Sequence, residues 1–293
     1  MSTTERGALL ALLRNSGQPW SVVADEVESV GSALHVLREG LPGQGTLVED
    51  GDLEALAAEA EEEIRTWEGE GMRFLTLLDE DYPAQLLTVH QRPPFLMLRG
   101  QQSKSDARSV AVVGTRRASR EGVESATRFA RDLAQAGVPV VSGLAVGIDT
   151  AAHSGALAAG GRTVAVIGTG LRRSYPQENS GLQDRISQVG LVISQFLPDA
   201  PPTKVSFPMR NAVMSGYSAA TVVVEAPYRS GARMQARLAL EHGRRVFLPE
   251  PLLENSWAKS YAERPNTIVV RSVDDVLRHL ESALTPNDNL VWA

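Results

Sequence analysis

The chain of 293 residues is 43% hydrophobic, enough to pack one large α/β domain and a smaller one. It has no cysteine, which excludes disulfides and thiolate metal sites. No stretch approaches a membrane span and the start resembles no secretory signal, so a cytoplasmic location is expected. The formal charge of −6 is uneven: residues 1–100 hold 7 Lys+Arg against 18 Asp+Glu, and residues 101–293 hold 22 against 17, which directs any polyanion to the second part unless the asymmetry is ordinary variation between domains.

Apolar positions recur at helical spacing over residues 5–15 and 20–39, with Ser21 placed to cap the second helix, and a Glu-rich helix follows from Leu53 to Trp67. The breaks at Gly17-Gln18-Pro19 and Leu41-Pro42-Gly43 suit helix connections. The acidity of this part argues against a helix-turn-helix DNA reader. Phe74–Leu78 and Phe95–Leu98 read as two short strands joined by a helical turn. From Ser109 the pattern becomes apolar strand, glycine turn, helix, with strands at Val110–Val113, Val138–Val141, Val164–Ile167, Leu191–Ser194, Thr221–Val224 and Arg245–Leu248. Helices at Gly122–Ala136, Thr150–Ala159 and Met234–His242 alternate with them. Nearly continuous apolar strands predict a parallel sheet covered on both faces. The expected fold is α/β: an extended Rossmann-like, doubly wound, mostly parallel sheet with a small N-terminal helical domain. Its parts are an acidic helical domain (1–70), a connecting segment leading into the sheet domain (71–105), the Rossmann-like core (106–285) and a tail (286–293).

In such sheets ligands bind beyond the carboxyl ends of the strands, where helix N-termini offer free N–H groups to anions. Gly114-Thr115-Arg116 follows the first core strand. Glycine permits the turn, Thr115 can donate to an oxygen and Arg116 supplies a bidentate fork for phosphate; this turn alone reads better as a plain turn with solvated arginines. Ser142 and Gly143 through Gly147 to Asp149 open a helix, so both glycines would admit a ligand to the backbone, and Asp149 could cap the helix that carries His153. A structural role suits Asp149 and His153 better than catalysis, since no nucleophile accompanies them. Gly168-Thr169-Gly170 begins like a dinucleotide fingerprint but continues to Arg173 where glycine is expected. Lys204, Phe207, Arg210 and Asn211 combine cations with an aromatic ring, the mixture that single-stranded DNA requires; Phe207 could instead belong to the core. Glu225 precedes Ser230-Gly231, another candidate anion nest.

In this order the motifs resemble the DNA-processing protein A family (DprA, also called Smf), from about Tyr82 to Leu248. The carrying residues are Val113-Gly114-Thr115-Arg116, Ser142 to His153, Gly168-Thr169-Gly170, Tyr175-Pro176-Gln177-Glu178-Asn179, Phe207-Pro208-Met209-Arg210-Asn211, Glu225-Ala226 and Ser230-Gly231. The resemblance implies single-stranded DNA binding in a basic pocket, a homodimer, and loading of RecA recombinase in natural transformation or recombination. It implies no catalysis and no cofactor. It places Arg116, Lys204 and Phe207 on DNA. Departures fall at Gln195, Ala212, Gln235 and Glu250 and over Pro251 to Arg264, and the chain is expected to lack a C-terminal winged-helix domain. Two rival readings share the superfamily: a nucleotide sensor, and a LOG-like phosphoribohydrolase using Arg210 and Glu225.

Overall fold

The computed structural model describes residues 5–41, 50–90 and 92–284; the tail at 286–293 lies outside them, as does most of the Leu41-Pro42-Gly43 break. Four helices come first: α1 (Glu5–Asn15), α2 (Trp20–Val30), α3 (Ala33–Glu39) and α4 (Asp50–Gly69). The expected single helix over 20–39 is divided at Gly31, which takes a left-handed φ of 75°. Ser32 caps α3 by accepting from the His35 amide, whereas Ser21 caps nothing because α2 already begins at Trp20, behind Pro19. Leu9, Leu10, Leu53, Ala57, Ile64 and Trp67 bury the inner stripes of α1 and α4, and Arg6 to the buried Glu61 and Arg14 to Glu63 tie the two helices together.

Strands β1 (Arg73–Thr76) and β2 (Phe95–Gly100), separated by the short α5 (Ala84–Leu87), are antiparallel, and β2 pairs in turn with the strand at Leu191–Ser194. Segment 71–105 therefore supplies one edge of the sheet. The helical domain is fixed to that edge by a run of rings: Trp67 on Phe74 at 6.0 Å, Phe74 on Phe95 at 4.8 Å and Trp20 on Phe95 at 5.3 Å.

The remaining strands are parallel: β3 (Val110–Gly114), β4 (Val140–Ser142), β5 (Thr163–Ile167), β6 (Leu191–Ser194), β7 (Ala220–Glu225), β8 (Arg245–Pro249) and β9 (Thr267–Val270). The sheet order is β1-β2-β6-β5-β4-β3-β7-β8-β9. Helices α6 (Arg120–Gln135), α7 (Ile148–Ala158), α8 (Ser180–Val189), α9 (Ser206–Tyr217), α10 (Gly231–Glu241), α11 (Ser256–Ala262) and α12 (Val273–Leu284) complete it. This is the expected α/β architecture. Alternation along β3, β4, β7 and β8 divides the core there into two layers. Val110 and Val112 join α6, α7 and α12 on one face, while Ala111 and Val113 join the cluster containing α9, α10 and the N-terminal helices on the other. Phe247 of β8 faces the first layer, Val246 and Leu248 the second.

Candidate functional site

From β3 the chain winds through β4, β5 and β6 on one side, then returns to β7 on the other. The carboxyl ends of β3 and β7 thus flank the point at which strand order reverses, where open α/β sheets form their binding crevice. A cavity of about 470 Å³ lies there, walled by Thr115, Arg116 and Arg117 after β3, by Phe207, Arg210 and Asn211 of α9, and by Arg229 and Ser230 after β7. A smaller one of about 70 Å³ opens beside it over β4 and β5, sharing Arg116, Phe207 and Arg210 and rimmed by Val146 and Tyr175.

Phe207 sits half-buried in the first turn of α9. The Arg116 guanidinium lies over its ring at 5.1 Å, and the Tyr175 ring meets it at 5.6 Å with a 42° tilt. Arg116 is exposed and, among the described residues, has no hydrogen-bond or ion-pair partner for its guanidinium. The turn entering α9 is locked by reciprocal bonds, Thr203 N to Ser206 Oγ at 3.1 Å and Ser206 N to Thr203 Oγ1 at 3.0 Å. Lys204 is exposed on that turn, outside the lining of both cavities. The sequence alone assigns Tyr175 no contact; the Tyr-Pro pair one strand-end away from Phe207 is the signal that could have found it.

The glycines serve a different purpose from the one their spacing suggests. A Cβ on Gly143 would stand 1.3 Å from Nη1 of Arg210, and one on Gly168 would stand 2.9 Å from the Phe207 ring. Gly147, at φ 83°, passes so close to the β3 turn that a Cβ would be 2.5 Å from the Thr115 carbonyl oxygen. Gly114 is filled by Ile148 and Gly170 by the Leu197 and Pro198 carbonyls. These positions admit the protein's own atoms rather than a ligand, and they seat the arginine and the ring that form the site. Gly143→Ala is accordingly expected to displace Arg210, costing about 1–3 kcal/mol as overpacking does, measured as a drop in urea midpoint; wild-type stability would remove Arg210 from this contact.

Several other assignments need correction. Ser142 is buried and its hydroxyl donates to the Val112 carbonyl at 2.7 Å, tying β4 to β3, so it is unavailable to a phosphate. Asp149 does not cap its helix, whose N-cap is Gly147; its buried carboxylate accepts from Gly143 N at 3.2 Å and Ala145 N at 3.4 Å, bracing the loop before α7. Burial pushes the Asp149 carboxyl upward against the opposing pull of Arg210. Leu144 in that loop takes a positive φ of 58°, held by Asn179 Nδ2 donating to its carbonyl at 2.9 Å, so the Tyr-Pro-x-x-Asn motif secures the glycine motif. His153 is fully buried with Nδ1 2.7 Å from Thr163 Oγ1, a structural partner as expected.

Arg210 is a buried wall of the cavity, with Nη1 donating to the Val166 carbonyl at 3.1 Å, and is no surface clamp. Asn211 donates to the Gly231 carbonyl at 3.3 Å, and Ser230 caps α10 by accepting from Arg233 N at 3.1 Å, leaving Gly231 at the cavity rim. Thr115 Oγ1 accepts from Arg117 N at 3.2 Å, which leaves its proton free to donate. Glu225 is turned away from Arg210: it lines another cavity and accepts from Ser119 N and Ser119 Oγ, the latter at 2.8 Å, at the start of α6. The arginine–glutamate pair required by a phosphoribohydrolase is not assembled. Among the departures, Ala212 and Gln195 are buried, Gln235 lines the main cavity and Glu250 is bound to Arg271.

Fold and crevice together define a Rossmann-like protein with a cation and aromatic platform at its switch point. The family model for DNA recombination-mediator protein A matches residues 73–281, beyond both ends of the motif run, and the chain belongs to that family. The DNA processing protein DprA of Streptococcus pneumoniae is 39% identical over 208 residues, 70% of this chain and 73% of that one. Protein Smf of Escherichia coli is 38% identical over 208 residues, 70% of this chain but 56% of the relative's length. The solved S. pneumoniae DprA structure superposes with a TM-score of 0.72 at 31% identity, covering 93% of this chain and 97% of that one. The DNA processing protein A of Helicobacter pylori, whose structure concerns its single-stranded DNA binding mode, gives 0.63 at 28% identity, covering 71% and 96%. Among the described residues no helix is long and apolar enough to cross a membrane.

Proposed function

We propose that this protein binds single-stranded DNA across the strand ends, with Phe207 and Tyr175 offering faces to unpaired bases and Arg116 and Lys204 taking phosphates. The observation that carries the reading is the exposed Arg116 lying over Phe207 beside Tyr175, an arrangement in which, among the described residues, no carboxylate pairs with the guanidinium. A phosphate that takes Arg116 draws it off the ring and bares the face on which a base stacks, so the two contacts form together. The relatives' DNA-processing names and the H. pylori binding mode support the same ligand. By family resemblance, the action is protection of the strand and loading of RecA in the cytoplasm, by a homodimer, during transformation or recombination.

Fluorescence anisotropy with labelled single-stranded and duplex DNA across a salt series tests this. Arg116→Ala and Lys204→Ala are each expected to weaken single-strand binding and to flatten the salt slope, since each removes one phosphate contact. Phe207→Ala is expected to cost about 1–3 kcal/mol of affinity through lost stacking. Unchanged binding in all three variants, or full displacement of DNA by a mononucleotide, would turn the crevice into a nucleotide-sensing site.

A further inference from the structure

The main cavity has a second rim opposite Phe207, formed by the loop between β7 and α10, and Arg229 and Ser230 of that loop line it. Tyr228 stands in the same loop and is 60% exposed. The Arg233 guanidinium lies 4.2 Å from the centroid of the Tyr228 ring, and its Nη1 donates to the Tyr228 carbonyl at 3.2 Å. The same guanidinium is 5.8 Å from Tyr261, over which Arg264 lies at 3.9 Å. Tyr261 is buried edge-on against Trp257 at 5.2 Å, and the Trp257 indole donates to the Ala226 carbonyl at 2.8 Å, so the row is anchored back to the end of β7.

Charge separates this row from the neighbouring surface. Arg237 and Arg271 are paired, with Glu241 at 2.6 Å and Glu250 at 3.1 Å. Among the described residues no carboxylate lies within 4.0 Å of Arg229, Arg233 or Arg264. Arg116 and Arg117, on the facing rim, are likewise without one. Unneutralised arginines therefore stand on both rims of one crevice, Arg116 and Arg117 on one and Arg229 on the other, with Tyr228 and Arg233 just outside the Arg229 rim. A polyanion with flat, unpaired bases satisfies both requirements at once.

We propose that Tyr228, held by Arg233 and flanked by Arg229, is a second nucleotide subsite, which takes a base and its phosphate from the same single strand that lies across Phe207. The inference rests on the single-stranded DNA reading and extends it: the strand crosses the switch point from the β3 and α9 rim to the β7 and α10 rim. Arg233 on one face of Tyr228 fixes the ring before binding, so a base stacking on it loses little additional side-chain freedom. The arginine supplies charge to the adjoining phosphate while keeping its place on the ring.

The test is anisotropy with oligothymidylates from about 4 to about 16 nucleotides. Tyr228→Ala, at an exposed position, is expected to keep the wild-type melting temperature, to bind the shortest strands as wild type does, and to bind the longest about tenfold more weakly. Tyr228→Phe should restore the long-strand affinity, because the ring and not the hydroxyl is used. Phe207→Ala should weaken binding at every length. If Phe207→Ala weakens binding while Tyr228→Ala equals wild type at every length, the second subsite is refuted and the DNA reading stands. If neither variant changes binding at any length, both fall. A Tyr228→Phe variant as weak as Tyr228→Ala would also overturn stacking.

Discussion

Replacing Asp106 by alanine is expected to destabilise the protein by about 3–5 kcal/mol, the usual cost of removing one partner from a buried ion pair. The Asp106 carboxylate accepts from Arg162 Nε at 2.5 Å and Nη2 at 2.7 Å, from the Tyr217 hydroxyl at 2.9 Å and from Ser103 N at 3.1 Å. These donors come from the start of β5, the last turn of α9 and the turn before β3, three elements far apart in sequence. Alanine leaves the enclosed Tyr217 hydroxyl and the part-buried guanidinium without their acceptor, and each then bears its desolvation cost. Helix α9 carries Phe207 at its other end, so losing its anchor also loosens the platform. The expected outcome is a fall in melting temperature of roughly 10 °C. A triple variant Asp106→Leu, Arg162→Met, Tyr217→Phe should lose much less, because no polar group is stranded. A single Asp106→Ala variant that melts like wild type would show that the network contributes nothing.

Asp106 also illustrates what a linear chain conceals. Eight of the nine strands among the described residues are legible as apolar runs, six because parallel strands covered on both faces leave little room for polar residues and β1 and β2 because they too are mostly buried. The ninth, Thr267–Val270, is not: it is an edge strand, only Val270 is fully covered, and the other three residues are half-buried or exposed, so its four positions carry no clear period. The helix at Ser256–Ala262 lies in the stretch where the family's familiar pattern stops, yet it supplies Trp257 and Tyr261 to the arginine row.

Within the site, residue types are legible in the sequence and partners are not. Phe207 and Arg116 stand out for stacking and charge, and the fold brings them into contact although 90 positions separate them. The glycines read as openings for a ligand because glycine spacing reports only that backbone space is needed. It does not say whose atoms use it. Gly143 is needed by Arg210 and Gly168 by Phe207, so the glycine motifs and the Phe-Pro-x-Arg-Asn motif form one packing unit rather than two separate phosphate sites. Glu225 misleads for a related reason. It ends a strand at the correct edge of the sheet, but Gly122 lets it drop onto the start of α6, where a Cβ would stand 1.8 Å from its Oε2.

The same unit should fail in acid. His153 of α7 is fully buried, and burial, with Arg210 adding to it, lowers its imidazole from 6.5 to about 3. Thr163 Oγ1 already donates to the Val140 carbonyl at 2.8 Å, so it accepts from Nδ1–H of a neutral ring. Because the folded form resists the proton that the unfolded chain binds, the stability due to His153 is complete above pH 6.5 and is lost as pH falls toward 3. The loss accrues at about 1.4 kcal/mol for each pH unit below the ordinary imidazole value, reaching about 2 kcal/mol at pH 5 and about 5 kcal/mol in full. Asp149 works in the opposite sense: its raised pKa favours the folded state below the ordinary carboxyl value and opposes it as pH rises, so it offsets part of the loss. Urea titrations at pH 7 and pH 5 on wild type and His153→Gln separate the two, since both proteins keep Asp149. Wild type should lose about 2 kcal/mol more than the variant between those pH values. Parallel losses would mean that the imidazole is protonated inside the fold, and that the β4 to α7 loop beneath Phe207 does not depend on a neutral ring.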